Sequence, residues 1–147
     1  MRRIEAYIGG KSVKSTSGRE ADVFNPNTGE VQAKVGLAST ADVDAAIQAA
    51  AKALPGWAST NPQRRARVMF EFKRLVEANM QSLAELLSSE HGKVVADSKG
   101  DIQRGLEVIE FACGIPHALK GEYTEGAGPG IDVYSMRQPL GVVAGIT

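Results

Sequence analysis

Cysteine is nearly absent: the 147 residues hold one, Cys113, which excludes an internal disulfide and fits a reducing compartment. Neither sign of charge is in excess, because 17 basic side chains cancel 17 acidic ones. That balance gives no support for a nucleic-acid or anionic-membrane partner. No uninterrupted apolar run is long enough to span a bilayer. Met1-Arg-Arg is basic, but no apolar segment follows it as in a secretory signal. Internal repeats and low-complexity segments are also missing. These absences point to a cytoplasmic protein with no nucleic acid and no membrane among its partners.

What is present is ordinary globular material: 43% hydrophobic residues in a chain long enough for one domain's core. The start reads as β. Ile4–Ile8 and Lys11–Lys14 flank Gly9-Gly10, which supplies the positive φ of a two-residue hairpin turn. Ala21–Phe24 and Val31–Val35 flank Asn25-Pro-Asn-Thr-Gly29, a second turn. Ser39-Thr-Ala-Asp42 predicts a capping box opening a helix that ends at Leu54-Pro55-Gly56. Asn61-Pro62 predicts the N-cap and first position of another helix, broken near Asn79 and stopped by Gly92. Its arginines, offset by Glu71 and Glu77, read as a solvated face. A third helical stretch runs from about Val94 to Cys113 and closes at Gly114-Ile-Pro116. Gly121–Gly130 reads as a turn-bearing segment, and Ile131–Met136 alternates as a half-buried strand does.

The final residues carry the strongest expectation. Val142, Val143, Ala144 and Ile146, with glycines at 141 and 145, suit a parallel strand covered on both faces. Such a strand needs a crossover and a partner downstream. The chain is therefore expected to be the front of a larger protein, of α/β or α+β class.

Phe24-Asn-Pro-Asn-Thr-Gly-Glu-Val31, Glu90-His-Gly-Lys93 and Arg137–Thr147 together resemble, in order and spacing, the N-terminal region of the aldehyde dehydrogenase superfamily. Arg104-Gly-Leu-Glu-Val-Ile-Glu-Phe-Ala-Cys-Gly-Ile-Pro-His117 and Asp132–Gly141 are most similar to its CoA-acylating methylmalonate-semialdehyde branch. The resemblance implies an α/β fold: β-hairpins, helices and the start of a Rossmann-type parallel sheet, incomplete in this chain. It implies that residues 1–120 belong to the NAD-binding domain, 121–139 form an oligomerisation ribbon, and 140–147 are the first strand of that sheet. It further implies NAD as cofactor, coenzyme A as co-substrate, and a homo-oligomer, dimer or tetramer. The reaction implied is oxidation of methylmalonate or malonate semialdehyde to propionyl-CoA or acetyl-CoA with decarboxylation, as in valine or inositol breakdown. In that family an attacking cysteine thiolate and a catalytic glutamate lie in later segments, so residues 1–147 alone are expected to be inactive.

Three positions are expected to serve a site. On a helical wheel, Ile102, Leu106, Ile109 and Cys113 form an apolar face and Gln103, Glu107 and Glu110 a polar one. Arg104 lies outside the polar arc beside Val108 and Phe111, which predicts partial burial and an anionic partner. From the residues alone that partner is an internal acid such as Asp101. From the resemblance it is the substrate's carboxylate, which an arginine's planar fork grips through parallel hydrogen bonds. Ile146 and Thr147, at the carboxyl end of the expected strand, are implied to contact NAD.

Other motifs carry less. Cys113 with His117 suggests a nucleophile and base, but Gly114 and Pro116 interrupt the helix and the thiol sits on the apolar stripe. Gly126-Ala-Gly-Pro-Gly130 lacks phosphate-loop spacing and reads as a flexible turn. Glu90-His91 lacks the paired spacing of a zinc motif, and no metal site is expected. Two rival classes remain: a hydrolytic aldehyde dehydrogenase without a CoA step, and a short module that joins intact subunits without catalysis.

Overall fold

The structure is a computed structural model and describes residues 1–146. Five strands come first: β1 (Arg2–Ile4), β2 (Ala6–Ile8), β3 (Lys11–Val13), β4 (Glu20–Phe24) and β5 (Val31–Gly36). Helices α1 (Thr40–Ser59), α2 (Pro62–Ala78), α3 (Met80–His91), α4 (Val95–Cys113) and α5 (Ile115–Ala118) follow, then β6 (Tyr123–Gly128) and β7 (Ile131–Tyr134). The class is mixed α/β, as expected.

Both N-terminal hairpins form: β2 pairs with β3 and β4 with β5, each antiparallel. The expected strand from Ile4 to Ile8 is broken at Glu5, however. Its first part, β1, pairs in parallel with β5, Ile4 opposite Val35, so β5 is the centre of a three-stranded sheet. Ala33 on β5 is fully buried, while β4 alternates exposed and half-buried residues.

Local rules explain the helix starts. Ser39 caps α1, its hydroxyl accepting from Asp42 N–H at 3.1 Å while Asp42 Oδ2 accepts from Ser39 N–H at 2.8 Å. The Asp42 carboxylate also accepts from the Ser15 hydroxyl at 2.8 Å and the Thr16 hydroxyl at 2.7 Å. These donors, led by the Ser39 backbone, hold it well below the usual carboxylate range. Asn61 caps α2 with Pro62 at its first turn. α1 does not stop at Pro55: it runs one turn further, to Ser59. The hydroxyls of Ser59 and Thr60 donate to the Gly56 carbonyl at 3.1 and 2.8 Å and hold the turn that follows the proline.

α4 packs against both α2 and α3. Its buried face carries Ser98, Leu106 and Cys113, and the partners contribute Ala66 from α2 and Ala84 from α3. Small residues at the most buried positions let the helices approach closely. No described helix is long and apolar enough to cross a membrane.

The C-terminal third departs furthest from expectation. Gly121–Gly130, read as a turn-bearing segment, holds strand β6, and the turn expected over Gly126–Gly130 is confined to Pro129-Gly130. β7 forms, but both its faces are exposed, so it is not half-buried. Pro116 lies within the short helix α5 rather than ending the helical region. The expected buried strand from Val142 onward is absent: residues 140–146 belong to no strand, and Val143 and Ile146 are exposed. A strand needs a hydrogen-bonded neighbour, and no described element lies alongside these residues in a ladder.

Candidate functional site

Two of the motif segments, Phe24–Val31 and Glu90–Lys93, meet just ahead of α4. Asn25-Pro-Asn-Thr-Gly29 turns back with Asn27 N–H donating to Asn25 Oδ1 at 2.9 Å and Gly29 N–H to the Asn25 carbonyl at 2.8 Å. Gly92 ends α3 at φ +87° with its N–H on the Ser88 carbonyl at 2.8 Å. A Cβ on Gly92 would lie 3.0 Å from Pro26 Cγ and 3.3 Å from Asn27 Oδ1, so the turn and the helix end touch. Gln32 of β5 reinforces the join, its amide donating to the Ser89 carbonyl at 3.0 Å. Arg2 pairs with Glu90 across the same seam.

This junction delivers Lys93 to α4. The Lys93 carbonyl accepts from the Ser88 hydroxyl at 2.5 Å, and the Lys93 side chain, 18% exposed, reaches along the first turns of α4. Its ammonium lies 3.2 Å from Asp97 and hydrogen-bonds Asp101 Oδ2. The other oxygen of Asp101, Oδ1, accepts from Arg104 Nη1 at 2.7 Å. The hydrogen bond from Lys93 keeps the Asp101 carboxyl below its usual range, and the same bond raises the Lys93 ammonium. A cationic, anionic, cationic row thus runs from the motif segment to Arg104.

Arg104 is not partly buried, as the wheel predicted. Its side chain is 77% exposed and its acid partner is Asp101, three residues back. The helical wheel was right about the direction and wrong about the cover. Val108 and Phe111 beside Arg104 are themselves 69% and 78% exposed, because no described element packs on that stripe. The guanidinium uses only Nη1 on the protein, so its Nε and Nη2 edge faces outward with no partner among the described residues. Such an edge can meet a carboxylate through two parallel hydrogen bonds.

Of the other two expected site residues, only Ile146 is described. Ile146 is fully exposed and outside any strand, so the basis for placing it under a nucleotide is missing. Thr147 lies outside the described residues. Cys113 is buried on the apolar stripe of α4, as expected, and His117 is exposed on α5 without a hydrogen bond to orient it among the described residues. The two share the wall of a cleft of about 900 Å³ with Arg67, Phe70, Glu110 and Lys120. Among the described residues, no group of three or more His, Cys, Asp or Glu side chains could hold a metal ion.

The sequence reading missed Lys93 as a member of this row. The signal was available: Lys93, Asp97 and Asp101 recur at four-residue spacing, with Arg104 one further turn along.

Residues 12–147 match the model of the aldehyde dehydrogenase family. The chain is 48% identical, over all 147 residues, to a malonate-semialdehyde dehydrogenase of Pseudomonas aeruginosa, covering 29% of that protein. It is 46% identical to a mitochondrial acylating methylmalonate-semialdehyde dehydrogenase of Arabidopsis thaliana, matching 98% of this chain and 24% of the plant protein. Among solved structures, a Sinorhizobium meliloti protein complexed with NAD and assigned as a methylmalonate-semialdehyde dehydrogenase superposes with a TM-score of 0.93. That pair is 60% identical, with 96% of this chain and 29% of the other covered. The chain thus spans under a third of the length of these relatives.

Proposed function

The chain belongs to the aldehyde dehydrogenase family, and on that premise we propose that it is the N-terminal part of an oxidoreductase acting on methylmalonate or malonate semialdehyde. The observation that carries the choice of substrate is the outward edge of Arg104, a cation held at 2.7 Å by Asp101 with its Nε and Nη2 donors unused. A semialdehyde of this class carries a carboxylate two carbons from the reacting carbonyl. An arginine that holds that carboxylate fixes the distance of the aldehyde from whatever attacks it. The similarity to semialdehyde dehydrogenases across the whole chain supports the same substrate class.

In the complete enzyme the proposed overall change takes methylmalonate semialdehyde, NAD⁺ and coenzyme A to propionyl-CoA, NADH and CO₂. NAD is supported by the nucleotide in the Sinorhizobium structure and CoA by the acylating Arabidopsis relative. No nucleotide contact is assigned to the described residues, because the segment ending at Ile146 is neither a strand nor buried. The part assigned to these residues is therefore substrate placement by Arg104, and residues 1–147 alone are proposed to be inactive. We further assign residues 1–120 to the cofactor domain and 121–139 to subunit assembly in a homo-oligomer, and place the enzyme in the cytoplasm.

The test is product analysis. The complete enzyme, given methylmalonate semialdehyde, NAD⁺ and CoA, is expected to release propionyl-CoA and CO₂ in step with NADH. Release of a free carboxylic acid with CoA untouched would select a hydrolytic dehydrogenase instead. Absence of NADH formation with any aldehyde would leave only the assembly module.

A further inference from the structure

Arg104 does not stand alone on α4. Its Nη1 donates to Oδ1 of Asp101 at 2.7 Å, and the Lys93 ammonium donates to Oδ2 of the same carboxylate. Lys93 is the least exposed member of the row, at 18%, against 36% for Asp101 and 77% for Arg104. It is also bound from behind: Ser88 fixes its carbonyl, and Gly92, packed on Pro26, fixes the turn before it. Asp97, at 3.2 Å, is the other acid on the ammonium, and His91 is the remaining titratable group close enough to act on Asp101.

The two oxygens of Asp101 decide how much of the charge on Arg104 is left for a ligand. A carboxylate free to turn both oxygens to one guanidinium forms the strong bidentate pair and neutralises it. With Lys93 occupying Oδ2, Asp101 can give Arg104 only one oxygen. We infer that Lys93 and Asp101 are positioning residues for Arg104, Asp101 anchoring the guanidinium and Lys93 keeping Asp101 from capturing it, so that the Nε and Nη2 edge stays open to the substrate's carboxylate. The inference rests on the reading of Arg104 as the carboxylate-binding residue and assigns that site its supporting groups.

The row makes a prediction that simple loss of packing does not. In the complete enzyme, Lys93→Met releases Asp101 to close on Arg104, and KM for malonate semialdehyde rises about tenfold with a smaller change in kcat. Lys93→Arg restores KM, since it keeps the cation on Oδ2. Adding Asp101→Asn to Lys93→Met removes the competing carboxylate and recovers part of the lost affinity, so the double variant has a lower KM than Lys93→Met alone. A structural role for the pair gives the reverse, with the second substitution adding to the first. Lys93→Gln serves for the same comparison if the methionine variant does not fold. Arg104→Ala in the same assay separates two failures. If it leaves KM and kcat unchanged, the carboxylate reading itself is wrong. If it weakens binding while Lys93→Met does not, or while the double variant is the worse of the two, the reading of Arg104 stands and the positioning inference falls.

Discussion

Gly92 is the residue at which the Phe24–Val31 and Glu90–Lys93 segments touch. Its φ of +87° lies in the left-handed region, and a Cβ would crowd Pro26 Cγ at 3.0 Å as well. Placing a side chain in that backbone costs about 1–2 kcal/mol before any clash. Gly92→Ala is therefore expected to lower the free energy of urea unfolding by at least that amount, and an unchanged midpoint would show that the turn relaxes freely. Asp42 makes a prediction about pH. Its carboxyl is held below its usual range by the Ser39 backbone and the Ser15 and Thr16 hydroxyls. A depressed carboxyl contributes stability that is complete above its unfolded value, near 4, and is lost as pH falls through that value toward the folded one. Asp42→Asn is expected to be less stable than the parent at neutral pH and to show a flatter decline below about pH 4. Urea midpoints measured from pH 7 down to pH 3 check both.

Among the elements, the ribbon of β6 and β7 has its own weak point. Gly121 lies at its base, where a Cβ would fall 1.7 Å from the Ser135 carbonyl oxygen, and Ser135 N–H donates to the Glu122 carbonyl at 2.9 Å. Gly121→Ala cannot be accommodated without parting the two segments of the ribbon's base. It is expected to shift the oligomer toward smaller species in analytical ultracentrifugation if residues 121–139 join subunits, and an unaltered sedimentation profile would argue against that role. The elements also show what a sequence makes legible. Ser39 with Asp42, Asn61 with Pro62, and Gly92 marked helix ends correctly, because a cap is satisfied by atoms within a few residues. Pro55 misled, because hydroxyls at 59 and 60 hold the turn after it. The parallel pairing of β1 with β5 was invisible, since its partners are some thirty residues apart and leave no local mark. The run from Val142 to Ile146 has strand composition and no strand, because pairing is a property of neighbours rather than of composition. For Arg104 the sequence showed the direction of the side chain but not what covers it, and so missed both its exposure and the Lys93–Asp101 pair beside it.

Across the whole molecule, the dominant physical fact is uncovered apolar surface. Val68, Phe72 and Leu75 line one such patch on α2, Val108 and Phe111 another on α4, and Leu140 and Val143 stand free beyond the ribbon. Patches of this kind mark surfaces that other structure covers, which agrees with a chain spanning 29% of its structural relative. Produced as residues 1–147, the chain is expected to bind a hydrophobic dye and to self-associate in light scattering. A monodisperse monomer with a single cooperative melting transition and no dye binding would contradict this. On the proposed reading, those surfaces are covered in the complete enzyme and Arg104 is left to act on substrate. The most direct measurement of that role is the ratio of kcat/KM for malonate semialdehyde to kcat/KM for propanal, in the parent and in Arg104→Ala. Loss of a bidentate, charge-assisted pair is worth about 1.5–3 kcal/mol, so the ratio is predicted to fall roughly 10- to 150-fold. A ratio that does not move would show that the carboxylate is held elsewhere.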